Sequence, residues 1–135
     1  MIIDADGAIL GRLSSKVVKR LLAGEQVVIV NADKAIVSGT PKVTYSIYLQ
    51  KRQRGDQTKG PFYPKQSDRI VWRTIRGMMP YKKSKGRDAM SRLKIFSDCP
   101  KEYNNAEKIV KTKESLKCKY VTLKEISKFL GAKVD

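Results

Sequence analysis

The stretch MIIDADGAILGRLSSKVVKRLLAGEQVVIV, residues 1–30, decides the fold. Met1 to Asp4 reads as a short strand, and Ala5-Asp6-Gly7 as a turn. From Ala8 onward Leu10, Leu13, Val17 and Leu21 recur at helical spacing, which sets them on one face. Arg12, Lys16 and Lys19 fall on the other face, and Gly24 is a natural helix stop. Val27 to Val30 is then a continuous apolar run, the pattern of a strand buried on both faces of a parallel sheet. Strand, helix and strand in that order form a βαβ unit, so the fold class expected is α/β.

Outward from this unit, Asn31-Ala32-Asp33-Lys34 turns the chain and Ala35-Ile36-Val37 reads as a third short strand. Thr40-Pro41 predicts a helix start, with Thr as N-cap and Pro at the first helical position, and the helix should run to about Arg54. Gly55 to Gln66 is a loop long enough to suspect function. Ser67 or Asp68 is expected to cap a further helix that continues to Met78 or Met79, before Pro80. A short helix over Lys85 to Arg92 and a strand over Leu93 to Phe96 follow. The chain should be irregular from Cys99-Pro100 to about Tyr120. Thr122 and Glu125 then form a capping box for a last helix, lined by Leu123, Ile126 and Leu130 and closed by Gly131. A single domain over 1–135 is expected, less regular around 100–120.

Charge narrows the function. Lys and Arg total 29 against 13 acids, a formal net charge of +16. Folding does not need such an excess, and self-repulsion opposes it, so a polyanionic partner is the better explanation. Residues 41–100 hold fifteen bases and four acids, whereas residues 1–40 hold five and four, so the polyanion should meet the middle of the chain. An anionic membrane is the weaker candidate: the longest apolar stretch is Val27 to Val30, and Met1-Ile2-Ile3-Asp4 has no signal-peptide pattern. The chain has no histidine, which removes the commonest general base and every Ser-His or Cys-His pair. Cys99 and Cys118 form no CxxC motif, so a zinc site is not expected, and of a disulfide or reduced thiols the latter fit a cytoplasmic chain better; no cofactor is expected.

Two constellations suit RNA. At about 100° per residue, Arg69, Arg73 and Arg76 fall within roughly 60° of arc, with Val71, Ile75, Met78 and Met79 on the opposite side. Such a helix docks on a core while presenting three planar guanidiniums, each shaped to bond two phosphate oxygens. Lys82, Lys83, Lys85, Arg87, Arg92 and Lys94 follow, with only Asp88 among them. The second constellation runs from Tyr45, Tyr48, Lys51, Arg52 and Arg54 into Lys59, Phe62, Tyr63 and Lys65. Aromatics there would stack on unpaired bases while cations hold phosphates. The bland readings are a solvated basic face for the first and half-buried core tyrosines, Tyr45 and Tyr48, for the second. Gly7 and Gly11 after the first strand match neither GxGxxG nor GxxxxGK[ST]. Asp4, Asp6 and Asp33 stand near strand ends, where an α/β active site would gather its groups; without a histidine or a second motif, turn and cap roles are expected of them.

The segments Asp6–Ser15, Val28–Lys34 with Ser38-Gly39, Arg69–Pro80, Lys82–Arg87, Arg92–Phe96 and Tyr120–Ser127 together resemble the large-subunit ribosomal protein thirteen family. The most specific is Arg69-Ile70-Val71-Trp72-Arg73-Thr74-Ile75-Arg76-Gly77-Met78-Met79-Pro80. Gly60-Pro61-Phe62 and the short length point to the archaeal and eukaryotic branch, and Pro100 to Lys119 departs most from the pattern. The resemblance implies a three-layer α/β/α fold around a small, mainly parallel four-stranded sheet. It implies assembly onto large-subunit rRNA beside other large-subunit proteins, in the cytoplasmic ribosome, and no enzyme activity.

The expected function is therefore structural: a basic central region binding phosphates of large-subunit rRNA during assembly. Arg69, Arg73 and Arg76 come first, then Arg12, Lys82, Lys83, Lys85, Arg87 and Arg92, joined by Lys42, Arg52, Arg54, Lys59 and Lys94, with stacking from Phe62 or Tyr63. No small-molecule substrate, metal, membrane or homo-oligomer is expected. Rival readings are a nuclease or nucleotide hydrolase, for which Asp56, Asp68, Asp88 and Asp98 are too widely spaced in sequence, and an RNA-binding regulator acting outside the ribosome.

Overall fold

The computed structural model describes residues 1–110 and 112–134; Lys111 and Asp135 lie outside the described residues. The first unit is β1 (Ile2–Asp4), α1 (Leu10–Leu22) and β2 (Val27–Val30), with β1 and β2 parallel and Ile3 opposite Ile29. Leu10, Leu13, Val17 and Leu21 are the buried stripe of α1, as their spacing requires. Gly24, at φ +95°, turns the chain after that helix in a conformation that favours glycine.

After β2 the chain does not stay in the sheet. Asn31 adopts the left-handed conformation (φ 58°) and its amide donates to the Asp4 carboxylate at 2.9 Å. A 3-10 turn over Ala32–Lys34 then redirects the backbone. Consequently β3 (Ile36–Ser38) pairs antiparallel with β5 (Tyr120–Thr122), forming a separate two-stranded ribbon. The other edge of β2 receives β4 (Leu93–Ile95) in parallel, giving the order β1-β2-β4. In place of the four-stranded sheet expected, the protein has a parallel sheet of three strands and a ribbon of two.

Four helices complete the fold: α2 (Pro41–Gln53), α3 (Ser67–Met78), α4 (Ser84–Ser91) and α5 (Leu123–Phe129). Pro41 opens α2 as expected, but the Thr40 side chain makes no cap bond; its carbonyl accepts from the Thr44 amide and hydroxyl, both at 3.1 Å. Neither Ser67 nor Asp68 caps α3, because Gln66 occupies the N-cap position and the buried Ser67 hydroxyl donates to Asp33 instead. The capping box of α5 forms in both directions, Glu125 N to Thr122 Oγ1 at 3.3 Å and Thr122 N to Glu125 Oε2 at 3.0 Å.

Helix α1 packs on α3 and α4, and α5 packs on α3 and the Ala32–Lys34 turn. Their buried faces, with β1, β2 and β4, enclose one apolar cluster whose largest side chains include Ile3, Leu13, Ile29, Ile70, Ile75 and Ile126. The segment expected to be irregular holds short 3-10 turns at Lys101–Tyr103 and Lys113–Ser115. Between them Glu107 bonds across the outer edge of β1, accepting from Asp4 N at 2.9 Å and donating to Ile2 O at 3.1 Å.

Candidate nucleic-acid interface

Helix α3 is the axis of the basic surface. Ile70, Val71 and Ile75 are fully buried against the core, which fixes the direction in which the opposite side points. Arg69 is exposed, and Arg73 and Arg76 are half-buried. Met78, expected on the apolar side, is 45% exposed, because the helix ends there and Met79, at 4%, takes the buried place on extended backbone.

Around Arg73 the Gly55–Gln66 loop folds back onto α2 and α3. The Arg73 guanidinium lies 5.8 Å from the centre of the Tyr63 ring, and Lys51 Nζ lies 5.5 Å from it. Tyr63 meets Tyr48 edge-on at 6.0 Å, and its carbonyl accepts from the Arg52 guanidinium. Burial pushes the Tyr63 hydroxyl well above its ordinary ionisation range, reinforced by Tyr48 and opposed by the Arg73 charge. Burial raises Tyr48 too. Tyr63 is thus engaged within the fold, whereas its neighbour Phe62 is 61% exposed and free to stack. Tyr48 is buried, and Tyr45 is half-buried and stacked on Phe129 at 4.7 Å.

A second grouping forms around Trp72, one helical turn before Arg76. The Arg76 guanidinium lies 5.7 Å from the Trp72 ring and 4.9 Å from the Tyr81 ring. Trp72 contributes to the walls of two depressions. One contains Arg76, Tyr81 and Arg87, and the other Arg69, Lys94 and Phe96. Four of the expected RNA contacts, Arg69, Arg76, Arg87 and Lys94, therefore meet around one indole. Trp72 and Tyr81 were not among the site residues read from the sequence; the Trp72/Arg76 spacing of four on a helix hints at their pairing, but Tyr81 and the cavity come from the turn after α3.

The remaining candidates are dispersed. Lys82, Lys83 and Lys85 are exposed where the Pro80 turn enters α4, a turn closed by Lys83 N donating to Pro80 O at 3.0 Å. Arg12 on α1, Lys42 at the start of α2, and Arg54 and Lys59 are also exposed. Arg92 points inward: it is half-buried, and its Nη2 donates to Leu21 O at 2.7 Å, closing the last turn of α1. Among the described residues a single ion pair forms, Arg20 with Glu25 at 3.4 Å, outside the basic centre.

Near the carboxyl ends of the parallel strands, where an enzyme of this class would assemble its groups, Asp33, Asp68 and Asp98 line a depression of about 250 Å³, and two acids there are engaged in structural bonds. Asp4 accepts from Asp6 N at 3.0 Å as well as from Asn31, and Asp33 accepts from Ser67. The thiols of Cys99 and Cys118 are both exposed and unpaired.

Residues 1–102 match the family model described as ribosomal protein L13. The large ribosomal subunit protein uL13 of Archaeoglobus fulgidus is 47% identical over 135 residues, covering 96% of this chain and 86% of the relative. Its counterpart in Methanosarcina barkeri is 47% identical over 137 residues, covering 98% of each chain. That of Methanocaldococcus jannaschii is 45% identical, again covering 98% of each.

Proposed function

We propose, from the premise that this chain belongs to the ribosomal protein L13 family, that it binds and organises large-subunit rRNA during assembly through the surface centred on α3. Members of the family are structural parts of the large ribosomal subunit rather than enzymes, and the place of this chain is the ribosome, in the cytoplasm. The finer reading concerns how it is held there. Arg69, Arg73 and Arg76, with Lys82, Lys83, Lys85, Arg87 and Lys94, would neutralise phosphates from separate rRNA segments, and Phe62 would stack on an unpaired base. The whole chain would act as one RNA-binding unit, packed in three layers, monomeric and flanked by other large-subunit proteins.

The observation supporting this reading is the lack of internal partners for the charge. Residues 41–100 hold fifteen bases and four acids, yet none of these bases forms an ion pair among the described residues. A surface that leaves so many cations unneutralised attracts a polyanion and releases its condensed counterions on binding. Six to ten phosphate contacts would cost about a thousandfold or more in affinity between roughly 50 and 200 mM salt. Titration of the protein with a large-subunit rRNA fragment across that range should show this loss, and a nearly flat profile would refute the reading.

A further inference from the structure

Trp72 is the only tryptophan in the chain, and it stands half-buried between Arg69, Arg73 and Arg76 on α3. A cavity of about 440 Å³ opens beside it, lined by Trp72, Arg76, Tyr81, Arg87, Met90 and Ser91. That volume is in the range of small-ligand sites, roughly 300–1,000 Å³. Its wall is mostly carbon, supplied by the indole, the Tyr81 ring and the Met90 thioether. Its lining residues carry two guanidiniums, the hydroxyls of Tyr81 and Ser91 and the Trp72 indole N–H, with no carboxylate in the lining among the described residues. Lys82, Lys83 and Lys85 are exposed on the adjoining turn.

An apolar slot of this kind set in a cationic field matches one chemistry closely: a flat aromatic ring joined to a phosphate. We propose that the cavity receives an unpaired RNA base against the Trp72 and Tyr81 rings, with the exposed Arg87 holding the phosphate of that nucleotide. This rests on the reading of the chain as an RNA binder and adds a preference that phosphate contacts alone would not give. A paired duplex keeps its base faces stacked on one another and cannot enter; an unpaired nucleotide can. Arg76 is held over both rings, and its Nε is buried without a partner. On the other side of Trp72 a second depression holds Arg69 and Lys94 with one acid, Asp68, so a strand crossing the indole would meet cations before and after the inserted base.

The test uses Trp72 as its own reporter. The full chain is titrated with single-stranded polyuridine and, separately, with a fully paired RNA duplex of equal phosphate number, while Trp72 fluorescence and gel mobility are followed together. Both RNAs should bind, and only the single strand should quench Trp72. Tyr81→Ala, at an exposed position that leaves the core intact, should weaken single-strand binding by about fivefold to a hundredfold and leave duplex binding unchanged. Binding without quenching, equal quenching by the duplex, or an unaltered single-strand affinity in the variant overturns the slot while leaving phosphate binding in place. Failure of both RNAs to bind overturns both readings, and failure of the single strand alone overturns the slot. A benzophenone placed at Tyr81 in assembled large subunits should form an adduct with RNA; an adduct with a neighbouring protein instead would overturn the proposal.

Discussion

Gly86 is the residue at which the smallest change should have the clearest effect. It is buried in the first turn of α4, against the Pro80–Lys83 turn. A methyl group at this position would lie 2.0 Å from Pro80 O, 2.4 Å from Pro80 C and 2.9 Å from Tyr81 N. All three atoms are backbone, so no side chain can swing aside; the carbonyl would have to retreat by about 1 Å to reach even the tightest tolerated contact. In an open helix, Gly→Ala stabilises by about 1 kcal/mol. Here overpacking should cost about 3 kcal/mol, the upper part of its usual range, because the backbone must move. The net expectation for Gly86→Ala is a loss of about 2 kcal/mol, or a melting temperature lower by roughly 6 °C. Gly77→Ala supplies the control: it lies in α3 with nothing within 4 Å of the added methyl group, so the same substitution should be neutral or mildly stabilising. Urea and thermal unfolding followed by circular dichroism would measure both. Because the displaced atoms lead into Tyr81, the emission of Trp72 should also shift in Gly86→Ala. A Gly86→Ala protein as stable as the wild type would refute the close approach of the turn to α4.

Replacing Arg69, Arg73 and Arg76 together by Gln should lower rRNA affinity by several kcal/mol, at about 1.5–3 kcal/mol per charge-assisted bond. Stability should fall slightly, mainly through lost contacts of Arg73 and Arg76 with aromatic rings at about 0.5–1 kcal/mol each; equal affinity of variant and wild type in a binding titration would reduce the stripe to a solvated face. Arg92→Met removes the donor to Leu21 O and should destabilise the fold by about 1–3 kcal/mol, whereas Lys94→Met, which removes a solvent-exposed charge, should leave unfolding midpoints nearly unchanged. Tyr63 should resist ionisation. Its folded pKa is raised above the ordinary 10.0 by burial, so the stability it contributes is complete below pH 10.0 and declines as pH rises further, toward the folded pKa. Tyr63→Phe should remove that part of the alkaline loss and the late-titrating phenol from the near-ultraviolet spectrum. Non-reducing mass spectrometry after alkylation should find Cys99 and Cys118 both as free thiols, and a stoichiometric disulfide between them would contradict their exposed, unpaired positions.

The parts legible in the sequence are those in which one local pattern determines one element. The period of Leu10, Leu13, Val17 and Leu21 against the continuous run Val27–Val30 distinguishes α1 from β2 without reference to anything distant. The Thr122/Glu125 box acts within four residues and is equally visible. The pairing of β3 with β5 is not: it joins two three-residue strands far apart in sequence, and β5 buries only Val121 completely, leaving no alternation to read. The same holds for single side chains. Arg92 and Arg87 look alike as bases in a basic run, yet one reaches a carbonyl 71 residues away and the other faces solvent. Ser67 has the composition of a helix cap, but it is drawn instead to Asp33, 34 residues earlier. The arginine stripe was legible because helical angle alone places it; the indole around which it is arranged acquires its meaning only from the Pro80 turn and α4 packing nearby.

The backbone bonds of Glu107 across β1 bear on how the protein survives before it meets its partner. An uncovered outer strand offers unpaired amides and carbonyls to any other chain, and this is how sheets of separate molecules fuse into aggregates. Here Ile2 O and Asp4 N are occupied by the Glu107 backbone. The segment that supplies them lies beyond residue 102, where the match to the family model ends. A segment outside the family model thus acts as a guard rail on the parallel sheet. A protein cut after residue 102 would lose it, along with the β5 partner of β3, and should self-associate while a full-length chain at the same concentration remains dispersed.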